Sequence, residues 1–354
     1  MFWDTFSAVL FLFAGIGVFL VGVIMFSNVL QSGNKERIAG LFVKMGNNRM
    51  VGFGLGTAAT TVIQSSTATT VIVVGLVNAG VMTLAQSTAV IFGANVGTAL
   101  SNMLLSLADL PVRYFFMSLV GIGAFIKVFS KKKRANKIAD IMIAFGIIFV
   151  GLQIMRMAFS PTTYGGQHLT SAFENMIAAI NFPILLLLVG FLITAIIQSS
   201  TAAAAIFITL ASQGIIDFSE IMYLVIGTLL GTTLTTLIAS IPANKNAKRA
   251  AIIHLLFSVI ATLVFLPILW PLESVFVPFF ENLIPDPVWQ ISVFSLFIKL
   301  STAIILLPLI KPINRLTYKI IPDKKPKPLP SDADEIIEQS PRKKEQLQGF
   351  TEEF

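Results

Sequence analysis

Long apolar runs dominate this chain, and five of them are long enough to cross a lipid bilayer without interruption. A hydrocarbon core about 30 Å thick takes roughly 20 apolar residues of α-helix. By that measure the uninterrupted crossings are residues 6–30, 111–130, 138–159, 251–270 and 289–310. The pattern predicts an all-α polytopic membrane protein.

Two other apolar regions are interrupted by a polar sequence that occurs twice. Residues 50–63 and 67–78 are each too short to cross, and Gln-Ser-Ser at 64–66 separates them. Residues 183–212 repeat this arrangement around a second Gln-Ser-Ser at 198–200. A short helix, a polar break and a second short helix indicate a re-entrant hairpin, which enters and leaves the membrane at the same face. The sequence therefore predicts two such hairpins.

The two hairpins belong to an internal repeat. Residues 64–100 align with residues 198–234 without a gap, and 12 of the 37 aligned positions are identical. In each copy the hairpin precedes a further apolar region that is long enough to cross, at 83–107 and 218–241. Both regions contain a pair of glycines near the middle, namely Gly93, Gly97, Gly227 and Gly231. These glycines predict that the two crossing helices are discontinuous.

Composition agrees with a membrane location. Hydrophobic residues make up 55% of the chain and charged residues 12%, with a mean hydropathy of +0.83, whereas a typical soluble domain has about 25% charged residues. Cysteine is absent, which excludes disulfides and thiolate metal sites. The first 30 residues lack the basic start and the small-residue cleavage pattern of a signal peptide. We therefore expect a retained first helix in an inner or plasma membrane.

Positive charge orients the loops, because Lys and Arg concentrate in cytoplasmic loops. With the amino terminus outside, seven crossings and two hairpins put every basic loop in the cytoplasm, namely 31–50, 131–137, 245–249 and 311–319. The outside segments 160–220 and 271–288 contain no Lys or Arg. The first hairpin then enters from the cytoplasm and the second from outside. This layout is typical of the inverted repeats of a secondary transporter, here with a cytoplasmic carboxyl terminus.

The same layout divides the chain into four parts. Residues 1–137 form the first transmembrane repeat, with its hairpin at about 50–78, and residues 138–270 form the second. Residues 271–321 supply an extra C-terminal transmembrane helix. Residues 322–354 are rich in proline and charge, which predicts a disordered cytoplasmic tail.

The polar breaks are the expected position of a binding site. Backbone without helical geometry is tolerated at membrane depth only where it is buried in protein or lines a watery cavity. The four predicted breaks, two hairpin tips and two discontinuous helices, therefore indicate a cavity. Half-helices that begin there present free N–H groups and positive dipole ends, which suit an anion. Exposed carbonyls at the opposite half-helix ends suit a small cation such as sodium, and the amides and hydroxyls of both motifs add donors and acceptors.

Each signal also has a purely structural interpretation. A single Gln-Ser-Ser in a transmembrane helix is usually a hydrogen-bonding contact between helices, and Gly-x-x-x-Gly usually serves close packing. Two matched copies favour a binding site, and Asn95 between the first glycines argues against packing alone, because an unpartnered amide would cost free energy. Lys299 lies in the middle of a crossing, where it is either a functional residue or a structural, snorkelling one. His254 is interpreted as a packing residue whose ring nitrogens have hydrogen-bond partners.

The motifs together resemble those of a known family. The hairpin motif, Gly-Ala-Asn-Val-Gly-Thr at 93–98, and Asn-Ala-Lys-Arg-Ala-Ala at 246–251 leading to His-Leu-Leu-Phe at 254–257 are similar to the type II sodium/phosphate cotransporters in their bacterial form. The resemblance covers roughly residues 10–310. It implies coupled uptake of sodium and inorganic phosphate, through a site formed by the two hairpins and the helices that follow them.

The resemblance and the residue chemistry together give two sets of candidate ligands, with no organic cofactor. Phosphate is expected to bind, together with half-helix N-termini, to Gln64, Ser65, Ser66, Gln198, Ser199 and Ser200. Sodium is expected to bind, together with backbone carbonyls, to Thr67, Asn95, Thr98, Thr201, Thr228, Thr232 and Thr233.

The chain departs from the family pattern at three points. Thr67 and Thr201 stand where a third serine is usual, so a hydroxyl remains with an added methyl group. Leu229 stands where an asparagine is expected, which removes one candidate cation ligand. Many bacterial members carry a PhoU-like helical domain after the membrane part, whereas the charged tail follows here.

These expectations favour sodium-driven import of phosphate by alternating access. Sodium symport of another small anion, such as a carboxylate, is the alternative, and a channel is a further one. An intramembrane serine enzyme would need a base, and neither hairpin contains a His or a carboxylate, so no enzymatic activity is expected. The expected partners are phosphate, sodium and the lipid bilayer, without nucleic acid. A homodimer is compatible with the sequence.

Overall fold

The protein is all-helical. The computed structural model describes residues 2–32, 35–107, 110–163, 165–180 and 182–323, and within them it has 15 α-helices and no strand. This confirms the predicted fold class. In chain order the helices are α1 (Phe2–Gln31), α2 (Lys35–Lys44), α3 (Arg49–Ile63), α4 (Ser66–Asn78), α5 (Leu84–Ser106), α6 (Arg113–Phe129), α7 (Lys133–Ala158), α8 (Gly166–Ala179), α9 (Pro183–Ile197), α10 (Ser200–Ser212), α11 (Phe218–Ser240), α12 (Lys245–Leu269), α13 (Glu273–Leu283), α14 (Pro287–Leu306) and α15 (Ile310–Ile320).

Six helices of the described chain are long and apolar enough to cross a membrane, namely α1, α5, α7, α11, α12 and α14. All six were predicted as crossings. The seventh predicted crossing corresponds to α6, which has 17 residues. At 1.5 Å per residue it reaches about 25 Å, which is less than the roughly 30 Å of a hydrocarbon core.

Both predicted hairpins are present as pairs of short helices with the expected bounds, and their re-entry into the membrane stays a prediction. Helices α3 and α4 form the first hairpin around residues 64–65, and α9 and α10 form the second around residues 198–199. In each hairpin the polar motif separates two helices of 15 and 13 residues, so neither helix is long enough to cross by itself.

The two crossing helices that were predicted to be discontinuous, α5 and α11, are continuous. Their glycines instead allow another helix to approach. A Cβ on Gly93 would lie 2.0 Å from the carbonyl oxygen of Phe53 in α3, and a Cβ on Gly227 would lie 2.1 Å from that of Leu187 in α9. The prediction of a break in each helix was therefore wrong, because these glycines serve helix packing. Two polar breaks remain, one at each hairpin tip.

The sequence repeat is also a structural repeat. The motifs are 134 positions apart (198 − 64), and the contacts recur with this spacing. Gly56 of α3 packs against the backbone of Val90 in α5, as Gly190 of α9 packs against Leu224 in α11. Each of these hairpin helices thus lies against its crossing helix in the same register. The inversion of the two copies relative to the membrane stays a prediction.

Four short helices, α2, α8, α13 and α15, lie where no helix was predicted. In α15, Ile310, Ile313 and Thr317 are buried, and the basic side chains are exposed, so only one stripe of the helix contacts the rest of the protein. Such helices are too short and too polar for the span-length criterion to detect. Residues 271–321 thus contain three helices, and one of them, α14, corresponds to the expected transmembrane helix.

The buried apolar side chains form two clusters, which are organised around the two hairpins. One cluster joins the first hairpin to α5 and α12, through residues such as Ile63 and Phe257. The other joins the second hairpin to α1, α7 and α14, through residues such as Leu187 and Phe294. Residues 322–354 make a separate unit, and the predicted disordered tail lies outside the described residues from position 324 onward.

Candidate functional site

Each hairpin turns at a glutamine with an unusual backbone conformation. Gln64 has φ 59° and Gln198 has φ 56°, and in the described part of the chain they are the only non-glycine residues with positive φ. This left-handed conformation costs an L-residue roughly 1–2 kcal/mol. The backbone N–H of each glutamine donates to a carbonyl of the preceding helix, that of Thr60 or Thr194, at 2.8 Å. Backbone strain of this kind is concentrated at functional sites.

The serine after each glutamine caps the second helix of the hairpin. Ser65 and Ser199 have extended backbones. Their Oγ atoms accept the backbone N–H groups of Ala68 and Ala202, at 3.1 and 3.2 Å, which is the usual stabilisation of a helix start. The other N–H groups of the first turn have no partner within the helix. Each tip therefore presents free donors and the positive end of a helix dipole.

Both tips line one cavity, which has a volume of about 270 Å³. One water needs roughly 10–15 Å³ of such space, so the cavity can hold a small solute together with water. Its wall consists of Gln64, Ser65, Ser66, Thr67, Gln198, Ser199, Ser200 and Thr201, with Val23, Ile24, Ser27 and Asn28 of α1. The fold thus brings together all six residues that were predicted to bind phosphate.

The contribution of α1 to this cavity was not predicted. The hydroxyl of Ser27 donates to the carbonyl of Ile63, the last residue of α3, at 3.1 Å, and Gln31 Nε2 donates to Ser27 Oγ at 2.6 Å. Helix α1 is therefore bonded to the first hairpin directly beside its tip, and Asn28 follows in the cavity wall. The adjacent Ser27 and Asn28, which follow a long apolar stretch of α1, were the signal in the sequence.

The residues predicted to bind sodium divide into two groups. Thr67 and Thr201 line the cavity. The other five are buried in α5 and α11 and are absent from its wall, namely Asn95, Thr98, Thr228, Thr232 and Thr233. The hydroxyls of these four threonines donate to carbonyls of their own helix at 2.7 to 3.0 Å. Such hydroxyls keep lone pairs as acceptors, but the described conformation does not direct them at the hairpin tips.

Asn95 has a partner that lies far away in the sequence. Its Oδ1 is 3.3 Å from Nε2 of His254, and Nδ1 of the same ring is 3.0 Å from Oγ1 of Thr236. The Asn95 amide nitrogen donates to Ile91 in its own helix at 2.9 Å. His254 is buried and hydrogen-bonded at both ring nitrogens, as the packing interpretation predicted. It also links α5 of the first copy to α11 of the second.

The cavity wall is electrically neutral apart from helix dipoles. None of its twelve residues is charged, and the N-termini of α4 and α10 supply partial positive charge of roughly half an elementary charge each. Amide, hydroxyl and backbone donors of this kind can bind a small oxyanion. A full negative charge there would need further compensation, because an isolated ion is costly to bury.

Three curated relatives indicate the range of similarity. The Bacillus subtilis (strain 168) "Uncharacterized protein YqeW" is 28% identical over 321 residues, covering 90% of this chain and 97% of that protein. The Escherichia coli (strain K12) "Putative inorganic phosphate export protein YjbB" is 29% identical over 280 residues, covering 77% of this chain and 48% of that protein. The chain therefore spans about half of the length of YjbB. The Mus musculus "Sodium-dependent phosphate transport protein 2A" is 30% identical over 135 residues, covering 36% of this chain and 21% of the relative.

No solved structure matches the chain, whereas a family profile matches most of it. The profile is that of the Na+/Pi-cotransporters, and it matches residues 18–157 and 163–268. These ranges include both hairpins together with α5, α11 and most of α12. With six helices able to cross a membrane, the chain is a multi-pass membrane protein, and the family is one of transporters rather than enzymes. The protein belongs to the Na+/Pi-cotransporter family.

Proposed function

We propose that this protein moves inorganic phosphate across the membrane, in symport with sodium, through the cavity between the two hairpin tips. The observation that supports this most is that both Gln-Ser-Ser motifs, which are distant in sequence, line one cavity. The names of YjbB and of the mouse relative mention phosphate transport, and the family is named for sodium and phosphate together.

In this proposal, phosphate accepts hydrogen bonds from donors in both copies of the repeat. The free N–H groups at the starts of α4 and α10 donate to its oxygens, as helix N-termini do toward anions generally. The hydroxyls of Ser65 and Ser199 accept from their own helices, so their O–H protons are available to donate to the anion. The hydroxyls of Ser66 and Ser200 and the amides of the two glutamines complete the set.

The neutrality of the cavity wall supports the proposed sodium coupling. The wall contains no Lys or Arg, so a bound phosphate needs mobile cations to offset its charge. The carboxyl ends of α3 and α9 reach the same tips, and carbonyls at such negative dipole ends suit a small cation. We propose Thr67 and Thr201, which line the cavity, as the side chains that assist these carbonyls.

Alternating access is proposed to occur by movement of the hairpins with α5 and α11 relative to the flanking helices. The two copies would be inverted in a cell membrane, with the amino terminus outside and the carboxyl terminus in the cytoplasm. A sodium gradient directed inward drives a symporter inward, so import is the proposed direction. The name of YjbB mentions export, and a transport assay with defined gradients decides between the two directions for this protein.

The test is radiolabelled phosphate uptake into proteoliposomes, with either an inward sodium gradient or choline outside. The proposal predicts uptake that requires sodium, is competed by arsenate and is not competed by succinate. Gln64→Ala and Gln198→Ala should abolish it, whereas Gln167→Ala, at an exposed glutamine, should not. Full uptake in choline contradicts sodium coupling. Wild-type uptake by both cavity variants contradicts the proposed site, and competition by succinate favours a carboxylate substrate.

A further inference from the structure

The described interior contains one buried lysine, and the proposed phosphate site does not use it. Lys299 of α14 is 4% exposed, so its ammonium does not extend to the surface as a snorkelling side chain does. No Asp or Glu is buried among the described residues, and Lys299 has no carboxylate within 4 Å there. An intramembrane charge without a counter-ion is costly and is a functional candidate by default.

The contacts between α5 and α14 give the level of Lys299. The hydroxyl of Ser292, near the start of α14, donates to the carbonyl of Asn102 at 3.1 Å and lies 2.7 Å from the hydroxyl of Ser106, at the end of α5. The two helices are therefore antiparallel. Seven residues on from Ser292, about two turns, Lys299 comes level with residues 95–99 of α5.

Polar side chains share this level with Lys299, and no buried Asp or Glu is among them in the described part of the chain. Asn95 of α5 lies at this level, and its Oδ1 is 3.3 Å from Nε2 of His254. On α14, Ser295 and Thr302 are buried one turn to either side of Lys299. Amide and hydroxyl oxygens of this kind also suit an alkali cation.

The second copy lacks an equivalent of this environment. The position that matches Asn95 in the repeat is Leu229, which is 2% exposed and offers no oxygen from its side chain. The two copies therefore differ where the first has an amide, an imidazole and a nearby ammonium.

We infer that the ammonium of Lys299 is a tethered cation, which occupies, at the level of Asn95, the position of a coupling cation. The charge of Lys299 is covalently held, so it assists anion binding without crossing the membrane. One fewer sodium ion then moves with each phosphate than if this position were open. This inference rests on the sodium-coupled function proposed above.

The test is the number of sodium ions bound per purified protein, measured with radioactive sodium for the wild type and for Lys299→Gln, Lys299→Arg and Lys311→Gln. The glutamine keeps an oxygen but removes the charge, so Lys299→Gln should bind one more sodium ion than the wild type. Its phosphate uptake should also depend more steeply on sodium concentration. Lys299→Arg keeps the charge, and Lys311 is exposed on α15, so both of these variants should bind as many ions as the wild type.

An unchanged sodium count in Lys299→Gln, or an added ion in Lys299→Arg, overturns the inference. If Lys299→Gln does not elute as a folded peak, recovery of that peak by sodium and not by choline supports the inference, because a ligand stabilises the state that binds it. If neither sodium nor choline restores the folded peak, the inference is overturned. If phosphate uptake by the wild type is independent of sodium, the proposed coupling is wrong. A sodium ion gained by Lys299→Gln would in that case still support the tethered cation.

Discussion

Replacing Gly93 by alanine tests whether the glycines of α5 serve helix packing. The new Cβ would lie 2.0 Å from the carbonyl oxygen of Phe53 and 2.8 Å from the backbone nitrogen of Thr57. Backbone atoms cannot rotate away as a flexible side chain can. Since ordinary contact begins at 3.4 Å, α3 and α5 must move apart by about 1.4 Å (3.4 − 2.0) at this point.

The cost of this displacement can be bounded from the contacts that it changes. Overpacking of a well-packed interior costs about 1–3 kcal/mol. The movement also weakens the bond from the Thr57 hydroxyl to the Gly93 carbonyl, at 3.1 Å, which is worth about 0.5–1.5 kcal/mol. The better helix propensity of alanine returns up to about 1 kcal/mol. We expect a net loss of about 1–3 kcal/mol, or a lower Tm by roughly 2–12 °C at about 2–4 °C per kcal/mol.

The assay is thermal unfolding of the purified protein in detergent, with Gly75→Ala as the matched control. Gly75 lies in α4, and a Cβ there meets nothing within 4 Å, so its replacement should leave Tm unchanged or raise it. Gly227→Ala should lower Tm as Gly93→Ala does, because its Cβ meets the equivalent backbone of α9. A Tm for Gly93→Ala at or above that of Gly75→Ala would refute the packing role.

Three further predictions concern the hairpin tips and the histidine bridge. Ser65→Ala and Ser199→Ala should each destabilise the protein by about 1 kcal/mol through loss of a helix cap and weaken phosphate binding in calorimetry; unchanged unfolding and binding would argue against both roles. Gln64→Gly should match or exceed wild-type stability, because glycine adopts positive φ without strain, yet lose phosphate uptake; retained uptake would mean that the amide is not used. His254→Phe should cost about 1–3 kcal/mol by leaving Asn95 with an unpaired buried oxygen, and a wild-type Tm would be inconsistent with the bridge.

The hairpins could be predicted because two independent properties agree at each of them. The helices on either side of Gln64 and of Gln198 are too short to cross, and the polar residues between them cannot lie in lipid without partners. The duplication then argued against a chance interruption. Membrane physics constrains length and polarity strongly, so these elements have the expected bounds.

The glycine pairs misled the sequence interpretation because glycine has two opposite uses. It permits a break in a helix, and it also permits a second backbone to approach an unbroken one. Asn95 appeared to favour a break, since no partner for its amide was visible nearby in the sequence. Its partner, His254, is 159 residues away, and only the packing of α12 against α5 brings the two together.

The contribution of α1 was missed for a related reason. Ser27 and Asn28 are polar residues in an apolar helix, but the sequence does not indicate which helix they face. The bond from Ser27 to Ile63 depends on how α1 packs against the first hairpin. Long-range packing of this kind leaves no local pattern, whereas the residues of the two tips carry their pattern within a few positions.

The central claim is that both hairpin tips contact one bound phosphate. Because the chain has no cysteine, the single-cysteine variants Thr67→Cys, Thr201→Cys and Val81→Cys each carry one reactive thiol, with Val81 as the exposed control outside the cavity. The measurement is the rate of labelling by a thiol reagent with and without phosphate in the presence of sodium. The account predicts that phosphate slows labelling at positions 67 and 201 alike and leaves position 81 unaffected. Protection at one tip alone, or at neither, would contradict it.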